Sequence, residues 1–170
     1  MGEYAMIALK IEDIKPFTSK LFVGEVFDRF LIKEALIATF NTFTIDGNIR
    51  PGYYSREEAE EKKIGSLSTW AMMKPFCFSL IKGKRLPGSF RIIMQMPKEE
   101  TERFLSSRQI PLLSDQVKGL YVNIRYEEET LTCVTGTSVS VFTLDKILDE
   151  EWDQAFKVFL KQNQILFLEE

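Results

Sequence analysis

The stretch LYVNIRYEEETLTCVTGTSVSVFT, residues 120–143, carries the clearest structural signal in this chain. Residues 120–126 and 131–135 alternate apolar with polar, the period of two by which a strand buries one face and wets the other. Glu127, Glu128 and Glu129 stand between the two runs as an acidic turn, so the runs read as an antiparallel pair. Residues 139–143 continue the pattern after Gly136, where a bulge or turn is expected. Such a meander has one apolar face, and a second layer has to cover it.

Helical patterns on both sides supply that layer. Residues 145–162 place Leu148, Trp152, Ala155, Phe156, Phe159 and Leu160 on one helical face. Upstream, residues 90–96 read as a strand, and Pro97, Glu99 and Glu100 then open a helix that turns Phe104 and Leu105 inward. Residues 68–81 carry Trp70, Met73, Cys77 and Leu80 at helical intervals, with Pro75 expected to kink that helix or mark its start.

The first half reads similarly. Residues 5–11 form a strand, and Asp13 caps a helix that keeps Pro16 in its first turn and runs to about residue 22. Residues 27–38 and 39–45 are rich in Phe, Ile, Leu and Thr, with Asp46-Gly47 as the expected tight hairpin turn. The charged residues 56–63 have no continuous apolar face and are expected as a solvated helix or a mobile excursion. The fold class is therefore α+β, antiparallel sheet covered by helices. The halves 5–85 and 89–168 rhyme as strand, helix, strands and a tryptophan-bearing helix, which leads us to expect a pseudo-twofold internal repeat. Sliding-clamp and TATA-binding-protein folds have a broadly similar repeated order, an analogy of fold alone.

Apolar residues make up 45% of the chain and charged ones 28%, values ordinary for a chain that packs a core, so residues 1–170 are expected to form one domain. No apolar run approaches the ~20 residues that span a bilayer; the strongest, residues 30–37, is broken by Lys33 and Glu34. No membrane association is expected. Residues 1–10 lack the order of a secretory signal, and Cys77 and Cys133 sit among apolar or strand-forming neighbours. A cytoplasmic protein with two unreactive, buried free thiols is the simplest expectation.

Histidine is absent, which removes imidazole catalysis and His-ligated zinc. With two distant cysteines as the remaining soft ligands, no transition metal and no cofactor are expected, and residues 83–88 lack the spaced glycines and Lys-Ser/Thr pair of a phosphate loop. The net charge of −3 conceals an asymmetry. Lys62, Lys63, Lys74, Lys82, Lys84, Arg85, Arg91 and Lys98 occur with no acidic residue between Glu61 and Glu99. Lys82, Lys84, Arg85 and Arg91 are the candidate binding residues for an anionic ligand, a protein partner or nucleic acid. Their bland role is to offset a helix C-terminus and solubilise a loop, and a pI near 5.3 argues against a dedicated nucleic-acid module. Trp70 and Trp152 lie on apolar stripes and belong to a core, and Glu127 to Glu129 read as a solvated tip.

The blocks FNTFTIDG (residues 40–47), PFCFSLIKGKR (75–85) and LTCVTGTSVSVFTLDK (131–146) resemble an uncharacterised domain-of-unknown-function family of anaerobic Firmicutes. The resemblance covers nearly the whole chain and implies a bacterial cytoplasmic origin. It implies no activity, substrate or site. Two function classes follow from the residues: a non-enzymatic binding or interaction protein, and, as the alternative, an enzyme working with Asp, Glu or Lys and no transition metal. No catalytic residue stands out by spacing.

Overall fold

The computed structural model describes residues 4–82 and 87–170. The chain runs through β1 (Tyr4–Ile11), α1 (Ile14–Phe22), β2 (Leu31–Ala38), β3 (Thr42–Asp46), α2 (Arg56–Glu61) and α3 (Trp70–Ile81). It continues through β4 (Ser89–Gln95), α4 (Lys98–Ser107), a short 3₁₀ turn, β5 (Val117–Glu127), β6 (Thr130–Val139), α5 (Ile147–Gln162) and β7 (Phe167–Glu169). The strands form one sheet in the order β3-β2-β4-β5-β6-β1-β7 with every neighbour antiparallel. The α+β class expected from the alternation is the observed one.

Register sorts the residues between two faces. Ala35, Ile92, Ile124, Cys133 and Leu9 lie opposite one another across five strands, and all are fully buried. Against this face pack Phe17 and Leu21 of α1, Trp70 and Cys77 of α3, Phe104 and Leu105 of α4, and Trp152 and Phe156 of α5. The adjacent row, Glu34, Ile93, Asn123, Val134 and Ala8, points the other way and is half-buried. The four longer helices therefore cover one face and not the other, an arrangement that antiparallel sheets tolerate.

Both tryptophans fasten a helix to a distant carbonyl. Trp70 Nε1 donates to Leu21 O at 2.7 Å and Trp152 Nε1 to Tyr121 O at 3.0 Å, so each buried indole N–H is satisfied. The sheet order does not itself display a twofold: β4 lies between β2 and β5, whereas β1 lies between β6 and β7.

Several local expectations are corrected. Phe27 and Phe30 precede the strand that begins at Leu31, and the β2–β3 hairpin turns at residues 39–41, with Ala38 opposite Thr42. Asp46-Gly47 instead ends β3. The Gly47 N–H donates to Lys33 O at 3.0 Å beside a bulge in β2, and a Cβ there would stand 1.7 Å from Ile32 O. Glycine is required by close approach, while Asp46 Oδ1 accepts from Asn48 N at 2.9 Å. Pro75 neither starts nor ends α3, which begins at Trp70 with Thr69 as its cap and runs through the proline. Pro97 precedes the first helical residue of α4 instead of occupying it.

Residues 139–143 do not extend the meander. Val139 pairs with Val117, where β5 begins, so residues beyond it have no strand to join. Gly136 pairs regularly with Tyr121 of β5, where the irregularity falls at Val117 to Gly119, but on its other side the register slips as expected, β1 bulging between Ala5 and Ala8 opposite Gly136 and Val134. At the other end of this hairpin Glu127 pairs with Thr130, leaving a two-residue turn of Glu128 (φ 50°) and Glu129 (φ 60°). Residues 56–63 contain α2, held by a reciprocal Ser55–Glu58 capping box and burying none of its residues.

Candidate functional site

The described basic residues of the segment sit on several elements. Lys82 is exposed at the C-terminus of α3, and Lys84 and Arg85 lie outside the described residues. Lys74 is occupied: its ammonium meets Asp28 Oδ1 and Oδ2 at 2.7 and 2.9 Å and Gly24 O at 2.7 Å, tying α3 to the turn before β2. Lys62 lies over the Tyr54 ring and Lys98 begins α4. Arg91 is the candidate that the sheet itself holds, on the helix-free face of β4.

Directly opposite Arg91 stands Arg125 of β5. Like charges paired across strands repel, and the nearby glutamates compensate loosely: Arg91 Nη2 is 3.7 Å from Glu34 Oε2, and Arg125 Nη2 is 4.0 Å from Glu127 Oε2. Neither distance is a hydrogen bond. Arg91 Nε is shielded from solvent and has no partner among the described residues, and on the same face the Asn123 side-chain oxygen is likewise shielded and without a partner among them. A shallow cleft of about 190 Å³ lies here, lined by Leu36, Ser89, Phe90, Arg91, Arg125, Tyr126 and Glu127. Charge clustering along the chain indicated Arg91 and missed Arg125, whose place beside it is a matter of strand register. The alternation in residues 120–126 already put Arg125 on the polar side.

A second polar arrangement joins α5 to β6. Thr135 Oγ1 donates to Asp153 Oδ1 and Thr137 Oγ1 to Asp149 Oδ1, each at 2.6 Å. The two carboxylates are one helical turn apart on the same face. Partial burial raises the Asp153 pKa above its usual value, the Thr135 hydrogen bond opposes the rise, and repulsion from Asp149 adds to it. Beside Asp149 a cavity of about 180 Å³ opens between the end of β6, residues 110–112 and the start of α5. Composition and spacing gave no sign of it, because its walls come from three separate stretches.

Burial pushes the Cys77 thiol up to about 11 and the Cys133 thiol higher, so both are protonated at neutral pH and poor nucleophiles. Among the described residues no group of three His, Cys, Asp or Glu is placed to hold a metal ion, and no helix is long and apolar enough to cross a membrane.

The described residues thus form a two-layer α+β fold with one helix-free sheet face, an opposed arginine pair and a small cavity. Residues 20–168 match the model of a family described as "Family of unknown function (DUF5721)", and the chain belongs to that family. No curated protein and no solved structure matches the chain.

Proposed function

We propose that the chain is one non-enzymatic binding domain that takes an anionic group of its partner on the sheet face opposite the helices. The observation that carries this reading is the arginine pair: Arg91 opposes Arg125, and Arg91 Nε is shielded and unpartnered among the described residues. A phosphate or carboxylate oxygen between the guanidiniums would relieve their repulsion and give Nε an acceptor, since guanidinium forks match such anions. Lys82 adds positive charge at the end of α3, and a bacterial cytoplasmic setting belongs to the same reading, supported by the two unpaired, buried thiols.

The test is a calorimetric titration of inorganic phosphate and sulfate into the unmodified protein and into Arg91→Ala and Arg125→Ala. Binding lost in both variants, with unchanged circular dichroism, supports the site. Equal binding in all three proteins would overturn it. Nucleic acid is the more specific form of this partner. Tyr121, the ring on this face, is nearly buried with Lys33 over it, so nucleic acid would be held by phosphate contacts and not by base stacking.

One observation favours the enzymatic alternative: Asp149 and Asp153 form a carboxylate pair in which one acid is held protonated more strongly than usual. Turnover on a metabolite panel that Asp153→Asn abolishes would establish it over the binding reading.

A further inference from the structure

The cavity at the start of α5 has walls of one chemistry and a floor of another. Ile110, Leu112, Val139 and Leu148 make it apolar, and Phe142 and Leu144 stand at its rim 72% and 82% exposed, large apolar side chains left in water beside an opening. At the floor, Thr137 donates to Asp149 Oδ1, and the second Asp149 oxygen accepts no hydrogen bond and joins no ion pair among the described residues. The charged residues of the lining are Asp145, Lys146 and Asp149, two carboxylates against one ammonium. Asp145 is committed in part, since its Oδ1 accepts the Ile147 N–H at 2.9 Å. Asp149 is therefore the carboxylate with capacity to spare, and Asp153 one turn further adds negative potential.

Size narrows the ligand. About 150 Å³ of apolar cavity accommodates a benzene ring, so the 180 Å³ here holds one ring or a short branched chain with an arm of one or two atoms. We infer that this cavity binds a compact apolar molecule carrying a single ammonium group, its body between Ile110, Leu112, Val139 and Leu148 and its nitrogen on Asp149. The ammonium would donate to the second Asp149 oxygen, a charge-assisted bond beside apolar walls, while an anionic counterpart would meet the same carboxylate with repulsion. This site lies on the helix-covered side of β6 and is independent of the arginine pair.

Benzylamine, benzyl alcohol and benzoate share one body and differ in head-group charge, which makes them the probes. Affinities on the full chain, read from the methyl resonances of Ile110, Leu112, Val139 and Leu148 and so reporting this cavity and not the arginine pair, should rank benzylamine first and benzoate last. Asp149→Asn keeps an acceptor for Thr137. It should weaken benzylamine about tenfold, the worth of one charge-assisted hydrogen bond, and leave benzyl alcohol unchanged. Val139→Phe should abolish the shifts that all three cause in the Ile110, Leu112 and Leu148 methyls by filling the cavity, and Arg91→Ala should change none of these shifts, whatever benzoate does at the arginine pair. The inference is overturned by benzoate titrating these methyls as tightly as benzylamine, by shifts confined to other methyls, by an unaltered benzylamine affinity in Asp149→Asn, or by no shift of these methyls with any probe at millimolar concentration.

Discussion

The Thr135 hydroxyl stands between two elements that never touch it in sequence: it donates to Asp153 Oδ1 of α5 at 2.6 Å and accepts the Ile7 N–H of β1 at 3.3 Å. The Ile7 N–H falls where β1 slips register against β6, so the strand's own ladder leaves it without a carbonyl. One side chain therefore satisfies a bulge and anchors a helix. Thr135→Val, nearly isosteric, strips both groups of their partner at a buried position and should cost about 1–3 kcal/mol, read as a fall in the urea midpoint. Thr135→Ser should recover most of the loss.

Asp153 gives that contact a pH dependence. Its folded-state pKa is raised above the ordinary 3.8, so the folded chain holds this proton more tightly than the unfolded chain does. The stabilising contribution is complete below about 3.8 and is lost as pH rises through the folded value. Asp153→Asn removes the titration and keeps an acceptor for Thr135. The stability of Asp153→Asn minus that of the unmodified protein should therefore grow from pH 4 to pH 7. A constant difference in denaturation across that range would refute the raised acidity of this group.

The Glu128-Glu129 turn places two side-chain-bearing residues at positive φ, a region that asparagine and glycine enter at lower cost. Replacing the pair with Asn-Gly should stabilise the hairpin by about 1 kcal/mol, seen as a higher urea midpoint with an unchanged slope.

Gly47→Ala should be severe. Its Cβ would overlap the Ile32 carbonyl oxygen, which is backbone inside a sheet and cannot swing away. We expect a loss of about 3 kcal/mol or more, with amide protection falling first in β2 and β3. Gly52→Ala at a positive φ in open space should be milder, since only the local backbone is strained.

Binding to a labelled DNA duplex, if it uses the arginine pair and Lys82, involves about two phosphates, one between the guanidiniums and one at Lys82. The slope of log affinity against log salt should be near −2. Arg91→Ala should bring it nearer −1 and weaken all sequences alike, because phosphate contacts do not read bases.

How much of this was legible depended on whether the information was local. The alternation from Leu120 to Tyr126 and the stripe of Leu148, Trp152 and Phe156 follow from residues that are neighbours on one element, and both were readable. Asp46-Gly47 has the composition of a hairpin turn, but the tight contact with Ile32 that demands the glycine comes from another strand. Pro75 is a helix breaker by propensity, yet buried anchors at Trp70 and Cys77 on either side carry α3 through it. The three residues of β7 are too few to show a period and exist as a strand because β1 offers them an edge. Arg125 and the α5 cavity needed register and tertiary assembly, which no window of the chain contains.

The placement of β1 also bears on synthesis. Its register partner β6 lies more than a hundred residues later, so a nascent chain emits β1 long before any strand exists for it to join. At typical elongation rates of about 5–20 residues per second the interval is on the order of ten seconds. Throughout it Leu9 and Ile11, which end fully shielded, have no sheet to enter. The ribosome-bound intermediate therefore carries a sticky unpaired segment, and the sheet closes late by capturing a strand made long before.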